Sequence, residues 1–102
     1  MSSVSEFFDG LSSRVDPSRT AGMNNTYVFD IAGAGTWTVA VRDGSLEVTE
    51  GDSGGGDVTI SSSAENFERI ISGEQNPTTA YMTGKLKLKG DMGAAMKLQK
   101  LF

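Results

Sequence analysis

The chain has 102 residues, a net charge of −4, and neither histidine nor cysteine. That length allows one domain, spanning residues 1–102, with a modest core. The missing residue types exclude disulfides, Cys/His zinc sites, thiol chemistry and imidazole proton relays. No apolar run is long enough to span a bilayer, and the start, MSSVSEFFDGL, lacks a signal-peptide pattern. The expectation is a soluble, cytoplasmic protein.

Ser3-Val4-Ser5-Glu6 is a capping box, and Val4, Phe7, Phe8 and Leu11 follow at helical spacing, predicting a helix with one buried face. Asp16-Pro17 pairs an N-cap with proline at the first helical position, so a short second helix should run to about Ala21. Four strands come next. Tyr27, Phe29 and Ile31 alternate with Thr26, Val28 and Asp30, and Trp37, Val39 and Val41 alternate with Thr36, Thr38 and Arg42 after the Gly33-Ala34-Gly35 turn. Asp43-Gly44 is a two-residue hairpin signal leading to a strand marked by Leu46 and Val48. After the flexible segment Gly51 to Gly56, Val58 and Ile60 mark the fourth strand.

Ser62-Ser63-Ala64-Glu65 reads as a second capping box. It opens a helix carrying Phe67, Ile70 and Ile71 and ended by Gly73. Asn76-Pro77 starts a short helix with Ala80, Tyr81 and Met82, which Gly84 ends. Lys85, Lys87 and Lys89 then alternate with Leu86 and Leu88 in a fifth strand, and Asp91 is placed to cap a last helix reaching Phe102. The strands alternate and each helix has an apolar stripe, so the helices must cover one sheet face. The fold class is a two-layer α+β domain with a five-stranded, mixed but mainly antiparallel sheet.

Little here could carry catalysis. Gly51-Asp52-Ser53-Gly54-Gly55 matches the surroundings of a protease serine, but Ser53 has no imidazole base and its loop joins two strands rather than a strand and a helix. Gly84-Lys85 lacks the upstream glycine of a phosphate loop, and the scattered carboxylates fit solvated hairpins better than a metal cage. The reading is a non-enzyme with no cofactor and no metal.

The charges are segregated. Residues 1–84 hold four arginines and twelve acids, net −8; residues 85–102 hold five lysines and one acid, net +4. The acidic body argues against a nucleic-acid partner. The lysines allow two readings: protection of an exposed edge strand, or a patch facing acyl-CoA phosphates or an anionic membrane. The last helix is apolar over more than half its circumference, through Met92, Ala94, Ala95, Met96, Leu98, Leu101 and Phe102, with Gln99 as a polar residue on that side. Methionines there could fill core gaps or line an apolar cavity.

Gly84-Lys85-Leu86-Lys87-Leu88-Lys89-Gly90 followed by Asp91-Met92-Gly93-Ala94-Ala95-Met96-Lys97-Leu98 resembles the C-terminal signature of the sterol carrier protein 2 (SCP2) family. The upstream element order, α-β-β-β-β-α-β-α, is similar to that family's too. The resemblance implies helices over one sheet face with a hydrophobic tunnel between the layers. It also implies a non-enzymatic carrier of fatty acids, fatty acyl-CoA, phospholipids or sterol-like ligands. The ending Lys100-Leu101-Phe102 is not a peroxisomal address, which fits a prokaryotic, cytosolic carrier. On this reading the cavity wall draws on Phe29, Trp37, Val39, Ile60, Phe67, Ile70, Ile71, Tyr81, Met82, Met92 and Met96, with Gln99 as the head-group contact or, alternatively, a helix-terminal side chain reaching solvent. The lysine-rich tail would make transient membrane or enzyme contacts. The alternatives are a module presenting lipid to a partner enzyme, and a plain structural domain with a filled core.

Overall fold

The computed structural model describes residues 3–14, 17–51 and 55–97. The elements run α1 (Ser3–Arg14), α2 (Pro17–Thr20), β1 (Asn24–Ala32), β2 (Gly35–Arg42), β3 (Ser45–Glu50), β4 (Val58–Ser63), α3 (Ala64–Ile71), α4 (Pro77–Met82), β5 (Lys87–Gly90) and α5 (Met92–Met96). This is the α+β order expected from the sequence. Asp16, the expected cap of α2, lies outside the described residues, as do Ser53 and the chain from Leu98 onward.

The five strands form one mixed sheet in the order β3-β2-β1-β4-β5. The meander β1-β2-β3 is antiparallel, β4 lies parallel to β1, and β5 closes the far edge antiparallel to β4. At the β2–β3 turn, Asp43 (φ 44°) and Gly44 (φ 88°) both take the left-handed conformation that matches the strand twist. The Asp43 carboxylate accepts from Gly22 N at 2.8 Å, and Gly44 N donates to Thr20 O, so the hairpin tip is tied to the end of α2. The β3–β4 connection must cross β2 and β1. Its described ends are pinned by Gly51 N to Thr36 O, the Thr38 hydroxyl to Gly51 O, and Asp57 N to Thr26 O.

Odd-numbered strand residues Tyr27, Phe29, Ile31, Trp37, Val39, Val41 and even-numbered Val58 and Ile60 share the inner face, all at most 4% exposed. α1 and α3 close over them. The Phe8 ring stacks on Trp37 (centroids 4.6 Å apart, 13° between planes) and on Phe67 (5.6 Å, 9°), and meets Phe29 edge-on at 5.0 Å. Interlocked rings of this kind contribute roughly 0.5–1.5 kcal/mol per pair beyond their area burial.

Two local expectations shift by a residue or two. The cap of α3 is Ser63, whose hydroxyl accepts from Asn66 N at 3.2 Å, and not Ser62. The reason is strand parity: β4 continues through Ser63, opposite Ala32, and turns Ser62 inward, where it is buried. The fifth strand begins at Lys87 rather than Lys85. Lys85 N and Leu86 N both donate to Ala80 O, so these two residues still belong to the turn that ends α4.

Candidate functional site

The segment from Asn76 to Met96 folds back on itself and leaves an opening. The Asn76 side chain accepts from Thr78 N (2.8 Å) and Thr79 N (3.4 Å), and Pro77 supplies the fixed backbone angle of a first helical residue, so α4 starts sharply. It stops as sharply. The Thr83 hydroxyl donates to Thr79 O at 2.9 Å, and Gly84 takes φ 79°. The chain then doubles back under Ala80, which drives Leu86 into the interior at 2% exposed. Leu88 sits half-buried opposite Ile60.

Gly90 (φ 126°) presses against the carbonyl of Asp57, and Asp91 N donates to that carbonyl at 2.8 Å. The Asp91 carboxylate then caps α5, accepting from Gly93 N (2.8 Å) and Ala94 N (3.3 Å). One buried contact ties this short helix to the middle of the sheet: the Tyr27 hydroxyl donates to Ala94 O at 2.7 Å. Burial pushes the Tyr27 pKa up from 10.0 to about 12, and the Asp57 and Asp91 carboxylates add to the shift. The tyrosine is therefore a neutral donor at any physiological pH.

With Ala94 and Ala95 turned inward, α5 presents Met92 and Met96 outward, facing α4. Between the two helices, over Leu86 and Leu88, lies a groove of about 280 Å³. Its remaining walls are Pro77, Thr78, Tyr81, Met82 and Ala95. The surface is almost wholly apolar. Its rim holds every large hydrophobic residue found exposed among the described residues: Tyr81 (41%), Met82 (79%), Met92 (49%) and Met96 (77%).

The expected wall therefore divides. Tyr81, Met82, Met92 and Met96 come together around the groove. Phe29, Trp37, Val39, Ile60, Phe67 and Ile70 are packed in the core, where ring-to-ring contact under α1 and α3 fills the space between the layers. Ile71 lies half-buried in a larger hollow of about 560 Å³ between α1 and α3. Glu6, Glu65, Glu68 and Glu74 line that hollow, an unsuitable surface for hydrocarbon. Gln99 lies outside the described residues. Sequence reasoning missed Leu86 and Leu88 as groove floor, although their alternation with lysines already put them on the inner face. It also missed Pro77 and Thr78, which carry no apolar signal of their own.

Comparison with known proteins decides the family. A model of the SCP-2 sterol transfer family matches residues 5–102. The chain belongs to this family. Hydroxysteroid dehydrogenase-like protein 2 of Danio rerio is 35% identical over 106 residues, covering 96% of this chain and 24% of that protein. The chain thus spans about a quarter of the length of the curated relatives it matches first. Among solved SCP2 structures, the sterol carrier protein domain 2 of Helicoverpa armigera superposes with a TM-score of 0.76 at 31% identity, covering 94% of this chain and 82% of that one. The palmitated SCP2L2 of Aedes aegypti gives 0.77 at 23% identity, covering 96% and 88%. The five-stranded α+β architecture is thus an SCP2 fold, from a family known for lipid binding. No helix among the described residues is long and apolar enough to cross a membrane.

Proposed function

We propose that this protein is a non-enzymatic lipid carrier whose groove between α4, β5 and α5 holds the hydrocarbon part of a fatty acid, a fatty acyl-CoA or a sterol-like ligand. One observation carries the reading: the large apolar side chains left exposed by the described fold all surround one apolar groove. Leaving such a patch in water is unfavourable by about 25 cal/mol per Å² of apolar surface, which a bound chain recovers at up to about 0.8 kcal/mol per CH₂. Methionine side chains adapt to hydrocarbon of varied shape, which supports broad rather than narrow selection. The palmitated neighbour supports an acyl chain as one such cargo. A volume of about 280 Å³ lies at the lower end of small-molecule sites, so a long chain would bury one end and leave its head group at the open mouth.

The test is extraction and native mass spectrometry of freshly purified protein, followed by melting curves with added fatty acid and acyl-CoA. The expected result is a co-purifying lipid mass and a melting temperature that rises with ligand concentration. A lipid-free protein whose melting temperature ignores both ligands would end the carrier reading and leave a plain structural domain.

A second reading has its own support. The relatives named hydroxysteroid dehydrogenase-like protein 2 are about four times as long as this chain, which favours a module that presents lipid to an enzyme. Adding the protein to a dehydrogenase acting on an apolar substrate separates the two: presentation raises kcat/KM, measured with dispersed substrate well below KM, whereas simple carriage leaves it unchanged.

A further inference from the structure

We propose that Met82, Met92 and Met96 form an oxidation site through which a peroxide loosens the groove's hold on hydrocarbon. The chain has five methionines and no cysteine, so no thiol competes with the thioethers for a peroxide. Met1 lies outside the described residues. The other four divide sharply. Met23 is 2% exposed and belongs to the core, whereas Met82 and Met96 are more than three-quarters exposed and Met92 is half-exposed. Those three all border the groove. Met82 is the last residue of α4, while Met92 and Met96 stand one turn apart at the two ends of α5. Solvent therefore reaches sulfur on both sides of the mouth.

The co-reactant is a peroxide, with hydrogen peroxide the simplest case. A sulfur lone pair attacks one peroxide oxygen, and the S–O bond forms as the O–O bond breaks. Sulfur is oxidised by two electrons, and hydrogen peroxide is reduced to water, which carries away both protons. The product is a sulfoxide, polar where the thioether was apolar. Its consequence depends on where it stands. At these exposed positions the sulfoxide oxygen stays in water, so the fold loses little. A bound hydrocarbon chain would strip that water, and Pro77, Leu86, Leu88 and Ala95 offer no side-chain donor to replace it. Oxidation thus penalises the occupied groove and spares the empty one. Linkage makes the effect reciprocal: a bound chain shields the sulfurs, so empty protein is oxidised first. Methionine sulfoxide reductases, one for each epimer, would restore the thioethers. The loss of cargo rests on the carrier reading; the selective oxidation does not.

The experiment treats the full chain with dilute hydrogen peroxide, locates sulfoxides by peptide mass spectrometry, and measures palmitate affinity before and after. Met82, Met92 and Met96 should oxidise at least about tenfold faster than Met23, and palmitate should slow those three. Affinity should then fall by about tenfold while the far-ultraviolet circular dichroism stays unchanged, and sulfoxide reductases should restore it. A variant carrying Met82→Leu, Met92→Leu and Met96→Leu keeps Met1 and Met23. Its affinity, whatever the starting value, should not respond to peroxide. Met23 oxidising as fast as the other three overturns the proposal, as does oxidation of the three with affinity unchanged. An equal loss in the leucine variant, or a loss that the reductases do not reverse, places the damage elsewhere and overturns it too. Unoxidised protein that takes up no palmitate overturns the carrier reading alone. Partition of an apolar fluorescent dye into the groove, before and after peroxide, then decides the oxidation site by the same criteria.

Discussion

Under α1 and α3 the sheet is met by rings. Phe8 lies flat between Trp37 and Phe67, and Phe7 meets Phe8 edge-on at 5.3 Å. Under α4 and α5 the same sheet face is met by Leu86, Leu88 and two alanines, with three methionines and a tyrosine turned out to solvent. The helices differ in the same sense: α1 has twelve residues, α3 eight, α4 six and the described part of α5 five. A long helix with a wide apolar stripe is held by its packing. Helices this short depend on caps, since isolated they would be marginal. One half of the layer is thus closed by side-chain volume, and the other is held by backbone ties around an opening. Stability should reside in the first half and ligand response in the second, and this division can be tested.

The largest effect is expected in the ring-filled half. Phe8→Ala removes a side chain that is 1% exposed and touches four other rings, and should cost about 3–5 kcal/mol. Urea unfolding measures it; a loss below about 1 kcal/mol would mean that this half is not close-packed. The next effect tests whether the other half depends on backbone. Gly90→Ala would place a Cβ against the Asp57 carbonyl at φ 126°, with no flexible side chain to yield. We expect a loss of about 3 kcal/mol. Amide exchange would show it spreading through β5 and α5 while α1 and α3 keep their protection.

The same division explains how much the sequence discloses. The α+β class, the element order and the core residues were legible because periodicity follows from burial on one face, as with Val4, Phe7, Phe8 and Leu11 or Tyr27, Phe29 and Ile31. The family was legible from the spaced glycines and lysines between Gly84 and Gly90. What periodicity does not carry is which buried face meets another side chain and which meets open space. Phe67 and Met92 are both apolar residues on helices, yet one is enclosed by Phe7, Phe8 and Phe29 and the other borders the groove. The tie from Tyr27 to Ala94 was equally hidden, because it joins residues 67 apart through a backbone carbonyl that any amino acid supplies. Ser62 and Ser63 show a smaller limit: both can cap a helix, and only the register of β4 against β1 decides between them.

Tyr27 spans the two halves, and its titration gives a third test. Its raised pKa means that the folded state holds the phenolic proton more tightly than the unfolded chain. Its contribution is complete below pH 10 and is lost as pH rises toward about 12, by at most about 3 kcal/mol. Tyr27→Phe should cost about 1–2 kcal/mol at neutral pH, since Ala94 O keeps its bond from Lys97 N. It should also remove this tyrosine's share of the alkaline loss, and comparing unfolding midpoints of the two proteins between pH 9 and 11 isolates that share. Identical slopes would show that the hydroxyl does not hold α5 in solution.

The smallest change in stability should accompany the clearest change in binding. Met82→Ala and Met96→Ala each truncate a side chain already more than three-quarters exposed. They leave no buried cavity, and each should move the unfolding free energy by no more than about 0.5 kcal/mol. Both side chains form the groove rim, so each truncation removes apolar contact from a bound chain and should weaken fatty-acid affinity by about three- to tenfold. Met96→Trp sharpens the point from the other direction: a bulky ring at the rim should obstruct long chains more than short ones while the fold stays intact. Titrating fatty acids of increasing length against the three variants reads both effects. If affinity ignores the rim but falls with conservative changes in the ring-filled half, cargo enters between α1, α3 and the sheet, and the division between a packed half and a binding half is reversed.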